Sequence, residues 1–345
     1  MVEEGSLRPY VLRRTLLILP TLFGLVVLVF IISRLLPGDV AQRVLGPLAS
    51  PQDLANFRHQ YGLDQPIPVQ FYHYFVGLIS GDWGISFRTS RPVLANIGEY
   101  FPATIELTTA AMIIAIILGV AIGMVAATSG RKYVDAASRL FSVYAVSLPE
   151  WWTGIIAQLV LAFDLGIFPP TGRLDYEVIT EPTRVTGLYV VDSILALNGP
   201  ALANTLWHLA LPALVLSLGA MAQIARMTRS SLLEQSAKDY VTFERANGMP
   251  KRIVTYKYML KCAFSSVLTI IGLTYGFLLG GDFLVESVFA WPGIGYYGVQ
   301  ALLYQDFNAV VGVVITIGVS FAIVNLVVDL LYGVLDPRVR YGKAK

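Results

Sequence analysis

Six stretches of the sequence are long and apolar enough to cross a membrane, and this pattern limits the fold more than any other feature. A helix rises about 1.5 Å per residue, so about 20 apolar residues are needed to cross about 30 Å of hydrocarbon. The predicted spans run approximately over Val11–Leu36, Pro102–Thr128, Asp135–Phe163, Thr205–Ala225, Phe264–Leu284 and Phe307–Tyr332. The ten-residue alternation of a membrane barrel is not found, so we expect an all-α membrane protein with about six transmembrane helices.

The composition agrees with lipid as the main solvent. Hydrophobic residues make up 55% of the 345 residues and charged residues 14%, which is too apolar for a soluble domain with a polar surface. The net charge of +2 gives no indication of a polyanionic partner such as a nucleic acid. The single cysteine, Cys262, excludes an intrachain disulfide.

The first apolar stretch has two interpretations. Arg8, Arg13 and Arg14 precede it, as basic residues precede the apolar region of a secretory signal peptide. However, the run from Thr15 to Ile32 is longer than such a region, and a small-x-small cleavage site does not follow it. We therefore expect it to be the first membrane span of the mature protein.

The distribution of Lys and Arg predicts the orientation in the membrane. Short cytoplasmic loops retain positive charge, and 18 of the 25 Lys and Arg residues fall on the side that carries both termini. The remainder fall on the opposite side, although its segments are longer. Both termini are therefore expected in the cytoplasm.

Two segments on the outer side, 37–101 and 164–204, exceed the usual length of a connection between helices. We expect both to be partly folded, and the second is acidic overall. Internal repeats, low-complexity linkers and a separate catalytic domain are not visible, so residues 1–345 are expected to form a single domain.

The longest cytoplasmic segment, 230–261, predicts a helix, a sharp stop and a second helix. Asn247-Gly248 supplies the left-handed residue that ends a helix, and Pro250 suits the first turn of the next one. Tyr240, Phe243 and Met249 lie among charged residues, which is typical of a surface that another protein grips. A solvated helical hairpin is the alternative, and the residue pattern alone leaves both open.

Short motifs spread over nearly the whole chain resemble those of a known family. They are Arg13-Arg14, Arg34–Asp39, Gln65–Gln70, Gly81–Gly84, Pro102–Leu107, Arg226–Glu234, Asp239–Val241, Arg245–Gly248, Trp291–Gly295 and Leu335–Arg338. Their order and spacing resemble the inner-membrane permease subunits of binding-protein-dependent ABC importers, specifically the B-type subunit of the dipeptide and oligopeptide (peptide/nickel) group.

This resemblance implies the transmembrane domain of a type I ABC importer, with a coupling loop whose short helix docks in a groove of an ATPase subunit. The coupling role would fall on Asp239, Tyr240, Arg245, Ala246 and Gly248. The implied partners are a C-type permease subunit, two ATP-binding cassette subunits and an external solute-binding protein. Those ATPase subunits would bind ATP and Mg²⁺, with no cofactor on this chain, and the location would be the inner membrane of a bacterium or archaeon.

The chain departs from the family pattern at several positions. Cys262 and Ser266 stand where the family usually has Asn and Pro, Glu150 stands where a small residue is common, and Asp282 replaces an apolar residue. A carboxylate inside a span costs roughly 2.5–3.5 kcal/mol on insertion scales, so we expect Glu150 and Asp282 to face a water-filled pathway or a partner. There they would attract a cationic group such as the amino terminus of a peptide. The alternative is that Glu150 caps the helix broken by Pro149 and that Asp282 lies near the outer interface.

The choice between functional classes follows from what the sequence lacks. A Gly-x-x-x-x-Gly-Lys-Ser/Thr phosphate loop does not occur, so we expect a transport subunit rather than an enzyme that hydrolyses ATP. An ion-gradient-driven secondary transporter or channel is the alternative, but the inverted repeats that it would ideally show are not found. His59, His73 and His208 are isolated and do not have the spacing of metal ligands. We expect a permease for peptides or a related small solute, and the particular cargo stays open.

Overall fold

The computed structural model describes residues 7–35, 40–46, 48–60, 62–280 and 283–335, and these residues form helices joined by turns and irregular segments. The helices are α1 (Leu7–Leu35), α2 (Val40–Leu45), α3 (Pro51–Gln60), α4 (Ile67–Ser80), α5 (Val93–Thr128), α6 (Lys132–Ser147), α7 (Glu150–Asp164), α8 (Tyr189–Leu195), α9 (Gly199–Ser236), α10 (Asp239–Ala246), α11 (Lys251–Leu279), α12 (Phe283–Val288), α13 (Ile294–Leu303) and α14 (Phe307–Leu335). Helix α7 ends in a π-helical turn from Gln158 to Asp164, and α11 contains another from Val254 to Met259.

Within the described ranges, five helices are long and apolar enough to cross a membrane. Their qualifying segments are Thr15–Ile32, Val93–Thr128, Gly199–Ser236, Lys251–Leu279 and Phe307–Leu331. Helices α6 and α7 together pass the same test and form the sixth candidate. The all-α membrane fold expected from the sequence is therefore confirmed.

The third predicted span is not one straight helix. Helices α6 and α7 meet at an angle of 99°. Between them, Leu148 and Pro149 are both extended, with ψ near 130°. Proline lacks a backbone N–H and disfavours the helical conformation in the residue before it, so the chain turns at this point. Apolar length alone predicted a single span here because hydropathy does not report direction.

Several helices extend beyond the predicted spans. Helix α5 begins nine residues before the predicted Pro102, and α9 continues to Ser236. Consequently the first part of the predicted coupling loop, from residue 230 to 236, belongs to the end of α9. The helices are longer than the predicted spans because polar residues at their ends also form hydrogen-bonded turns. A search for apolar stretches does not detect these turns.

The centre of the structure is the pair formed by α5 and α9. Leu107 of α5 packs in one buried cluster with Leu216 and Ile224 of α9 and with Trp291. A Cβ atom at Gly119 would lie 2.9 Å from the carbonyl oxygen of Met221. Between membrane helices, small residues allow close backbone approach, which replaces the missing hydrophobic driving force with dispersion contacts.

The segments between spans are partly folded, as expected. Helices α2, α3 and α4 lie within segment 37–101, and α8 lies within segment 164–204. Residues 81–92 form no helix but are held against the start of α14, where Asp306 accepts hydrogen bonds from the Ser86 hydroxyl and the Arg88 amide. Asn308 donates to the Ile85 carbonyl over 2.9 Å. These contacts fix the segment although its own secondary structure is sparse.

We predict that Gly123→Leu destabilises the protein by separating α5 from α9. A Cβ at Gly123 would meet the Ala225 carbonyl oxygen at 2.5 Å and the Thr228 Cβ at 2.6 Å. Overpacking of this kind costs roughly 1–3 kcal/mol. The measurement is the thermal midpoint of the purified protein in detergent. Gly24→Leu on α1 is the control, because a Cβ there meets nothing within 4 Å. Equal midpoints for the two variants would contradict the assigned interface.

Candidate functional site

Helix α10 is a short helix fixed on one side to the ends of two spans. Val241 is fully buried and packs in a cluster with Leu232 of α9 and with Val254, Met259 and Ala263 of α11. Phe243, two residues further along, lies on the opposite side and is 66% exposed, and Arg245 and Ala246 at the end of the helix are also exposed. The buried side of α10 therefore contacts both α9 and α11.

The glycine after α10 is required by its backbone conformation. Gly248 has a φ of +77°, a left-handed conformation that costs other residues energy, and its amide donates to the Arg245 carbonyl over 3.0 Å. A Cβ there would meet nothing within 4 Å, so space is not the reason for glycine. The prediction that Asn247-Gly248 ends a helix is confirmed, and Pro250 directly precedes α11 as expected.

Tyr240 and Met249 do not project outward as the sequence suggested. Both pack against the Val241 cluster, and the Tyr240 hydroxyl donates to Gln235 Oε1 over 3.0 Å. Burial raises the pKa of Tyr240 to about 12, and the neighbouring Cys262 acts in the same direction. The hydroxyl therefore stays protonated at neutral pH and can keep this donor role. Of the predicted coupling residues, Asp239, Arg245, Ala246 and Gly248 are exposed and Tyr240 is half-buried.

Glu150 is the first residue of α7, directly after the bend. Its carboxylate lies against the backbone of α9, because a Cβ at Gly219 would be 2.5 Å from Glu150 Oε1. The residue before the helix is Pro149, which forms no side-chain cap. A negative charge in the first turn is favoured by the helix dipole, so the position suits both predicted roles, pathway and helix end. The other predicted pathway residue, Asp282, lies outside the described residues.

A buried ion pair joins α5 to segment 164–204. Glu106 of α5 and Arg173 are both buried, with Arg173 Nε and Nη2 at 2.8 and 2.6 Å from Glu106 Oε2. Arg173 also donates to the Gly187 carbonyl, and the Val190 amide donates to Glu106 Oε1. The guanidinium carbon lies 3.8 Å from the centre of the Tyr189 ring. Both charges thus have several partners, which a buried pair needs in order to be stable.

The same turn of α5 also holds segment 283–303. The Trp291 indole donates to the Ala103 carbonyl over 2.8 Å. The Thr104 hydroxyl donates to the buried carboxylate of Glu286 and accepts a hydrogen bond from the Ile294 amide. Three residues within one turn, Ala103, Thr104 and Glu106, therefore bind two segments that are far apart in the sequence.

Another buried carboxylate shapes the loop before α8. Burial alone would raise the pKa of Asp192, but hydrogen bonds from Thr186, Gly187 and Val185 outweigh it and hold the pKa below its ordinary value. The carboxylate therefore stays ionised and stabilises this loop at neutral pH. Among the described residues, His, Cys, Asp and Glu side chains do not form any group of three that could hold a metal ion.

Comparisons with known proteins identify the family. Residues 119–341 match the family described as the binding-protein-dependent transport system inner membrane component, and residues 7–108 match its N-terminal membrane component. The chain belongs to this family. It is a multi-pass membrane permease subunit of the ABC importer class.

Curated relatives align with the permease along nearly its whole length. The dipeptide transport system permease protein DppB of Alkalihalophilus pseudofirmus is 41% identical, over 96% of this chain and 99% of that protein. The probable D,D-dipeptide transport system permease protein DdpB of Escherichia coli is 41% identical over 92% and 94%. The glutathione transport system permease protein GsiC of Salmonella choleraesuis is 36% identical over 96% and 99%. A solved inward-facing MetNI methionine ABC transporter covers 68% of the permease and 93% of its own chain, at a TM-score of 0.48 and 18% identity.

The ion pair of the permease was not predicted from the sequence, although Glu106 is a carboxylate inside a predicted span. Glu106 lies inside the predicted span that begins at Pro102, so the cost of a carboxylate in a span applied to it as much as to Glu150. Its partner Arg173 is 67 residues away in an irregular segment. The pairing could therefore not be read from helical spacing.

We predict that Glu106→Gln destabilises the permease and loosens segment 164–204. The variant keeps the shape but leaves the Arg173 charge buried without its carboxylate, which costs roughly 3–5 kcal/mol. The measurements are the thermal midpoint and the rate of limited proteolysis in that segment. Glu99→Gln is the control, because its 2.8 Å pair with Arg91 is exposed and such pairs contribute about 0–1 kcal/mol. Similar losses in both variants would contradict a special role of the buried pair.

Proposed function

We propose that this permease forms one half of the translocation pathway of an ATP-driven importer. Its partners would be a similar C-type permease, two ATPase subunits in the cytoplasm and an external solute-binding protein. ATP and Mg²⁺ would be bound by the ATPase subunits, and this chain would carry no cofactor. The observation that carries the proposal is α10, whose inner side is anchored by Val241 and whose outer side is exposed.

The mechanical connection supports this proposal. Helix α10 is packed on the end of α9, and α9 is packed closely on α5 along the membrane. At its other end, α5 holds the two outer segments through Ala103, Thr104 and Glu106. A displacement of α10 by an ATPase subunit is therefore passed to the outer side through packed helices rather than through flexible loops.

The orientation belongs to the same proposal. We place both termini and α10 in the cytoplasm, since most Lys and Arg residues lie on that side. Segments 37–101 and 164–204 would then face the external binding protein. None of the described features favours the alternative of an ion-gradient-driven transporter or channel.

The cargo that we propose is a peptide or a related small solute. The curated relatives are named for dipeptides, D,D-dipeptides and glutathione, which share an amino group or ammonium and a peptide-like backbone. Glu150 supports this choice because its carboxylate lies at the bend between α6 and α7, where it would attract a cationic amino terminus. Asp282 is proposed for the same role on its sequence position alone.

We predict that Ala246→Glu abolishes coupling without unfolding the permease. Ala246 is exposed at the end of α10, so a longer charged side chain would obstruct docking while the Val241 cluster stays intact. Loss of a central docking contact costs about 2 kcal/mol or more, so we expect uptake in reconstituted vesicles to fall at least about tenfold. The thermal midpoint is expected to remain unchanged.

The control for this variant is Ala55→Glu, an exposed alanine on α3 at the opposite side of the membrane. It is expected to retain association with the ATPase subunits, measured by copurification, whereas Ala246→Glu is expected to lose it. Ala246→Cys and Ala55→Cys, each in a Cys262→Ser background, also report the side of the membrane on which each residue lies. The measurement is labelling of the introduced cysteine by a membrane-impermeant maleimide. Normal uptake by Ala246→Glu, or labelling of Ala246→Cys from the outer face, would contradict the proposal.

We predict that Glu150→Gln weakens transport of cargo with a free amino terminus. Removing the negative charge while keeping the shape should raise the KM for a dipeptide roughly tenfold, since a hydrogen bond to a charged group contributes about 1.5–3 kcal/mol. An N-acetylated dipeptide should show little difference between the two proteins. Glu177→Gln, an exposed carboxylate in segment 164–204, is the matched control. An unchanged KM for the free dipeptide would remove Glu150 from the pathway.

A further inference from the structure

A cavity of about 380 Å³ lies at the edge of the permease, where α1, α4, residues 82–87 and the start of α14 meet. Five aromatic side chains contribute to its wall: Phe30, Tyr74, Trp83, Phe87 and Phe307. His73 and Asp82 also line it, and Lys and Arg are not among the described lining residues. Its volume falls within the range of about 300–1,000 Å³ that is usual for small-molecule sites.

The wall of the cavity is held in place by hydrogen bonds on two sides. The Trp83 indole donates to the Leu78 carbonyl over 3.2 Å, and the Asp82 amide donates to the Gly77 carbonyl over 2.9 Å. On the opposite side, Asn308 donates to Ile85. The rings of Phe30 and Tyr74 lie 5.5 Å apart, which packs α1 against α4. The cavity is thus formed by the fold and does not require a ligand to create it.

The chemistry of the lining favours a small organic cation. Aromatic faces carry negative potential and attract ammonium groups, and this attraction grows when the site excludes water. Asp82 adds a carboxylate, of which one oxygen accepts from the Gly84 amide over 3.1 Å and the other is available to a ligand. An anion would meet a carboxylate and ring faces, which repel it. The ring N–H of His73 can donate a hydrogen bond to a phosphate oxygen that lies beside the ammonium group in the same ligand.

The position of the cavity indicates where such a cation comes from. Phe30 lies close to the end of the apolar segment Thr15–Ile32, and Phe307 begins the segment Phe307–Leu331. The cavity therefore lies at one boundary of the membrane. The neighbouring surfaces of α1 and α4 expose apolar side chains, including Ile32 and Ile79, along which acyl chains can lie.

We propose that this cavity binds the ammonium headgroup of a zwitterionic phospholipid, with Asp82 and the aromatic ring faces as its ligands. The site lies on the α1 side of the subunit and does not involve α10 or Glu150. That the leaflet is the outer one rests on the orientation proposed above, whereas binding itself does not depend on transport. A negative result here would therefore leave the importer function untouched.

The test is native mass spectrometry of the full chain, purified with its partner subunits in detergent. The complex is titrated with phosphatidylethanolamine or phosphatidylglycerol of identical acyl chains. We expect retention of phosphatidylethanolamine to exceed that of phosphatidylglycerol by about fivefold, because a desolvated cation–π site discriminates by charge. Ethanolamine without acyl chains should compete weakly, since it lacks the contacts along α1 and α4.

Two variants test the assigned ligands. Asp82→Asn removes the charge, and Phe307→Leu removes a ring face while retaining an apolar side chain. Each should bring the retention of the two lipids close to equal, whereas Asp64→Asn, an exposed carboxylate in the same outer segment, should retain the preference. Thermal midpoints and gel-filtration profiles verify that the variants are folded. Equal retention of both lipids by the unmodified permease, an unchanged preference in both variants, or complete displacement by free ethanolamine would overturn the proposal.

Discussion

The buried pair between Glu106 and Arg173 is the interaction on which the arrangement around the N-terminal half of α5 depends. An unpaired charge in a low-dielectric interior destabilises the fold. Separating α5 from segment 164–204 would therefore cost free energy, because it would leave both charges without a partner. The adjacent Ala103 and Thr104 bind segment 283–303 in the same turn of α5. One turn of one helix therefore determines where two long connections lie.

This arrangement distinguishes a closely packed centre from a margin of the subunit. Close packing at Gly119 and Gly123 joins α5 to α9, and α9 leads directly to α10. These elements form a continuous packed body from one membrane face to the other. Helix α1 lies at the margin of this body and packs against α14 and α4, and that margin contains the aromatic cavity. In the proposed mechanism, a force on α10 would pass through this packed centre rather than through the margin.

Structural features that depend on neighbouring residues in the sequence were predicted correctly. Apolar length located the membrane helices, and Gly248 was predicted in a left-handed conformation that the structure confirms. Features that depend on contacts between residues far apart in the sequence were not predicted. The partners Glu106 and Arg173 share no helical spacing, and the outward positions assigned to Tyr240 and Met249 ignored the neighbouring ends of α9 and α11. The roles of Asp239, Arg245 and Ala246 in coupling remain predictions.

The bend between α6 and α7 has a consequence for the surroundings of the subunit. A helix end leaves several amide and carbonyl groups without partners in the helix, and acyl chains cannot satisfy them. A turn of 99° at Leu148 and Pro149, within a candidate span, places two such ends at membrane depth. At such a depth these groups need water or another polypeptide as hydrogen-bond partners. The bend is therefore the part of α6 and α7 that is least compatible with direct contact to acyl chains.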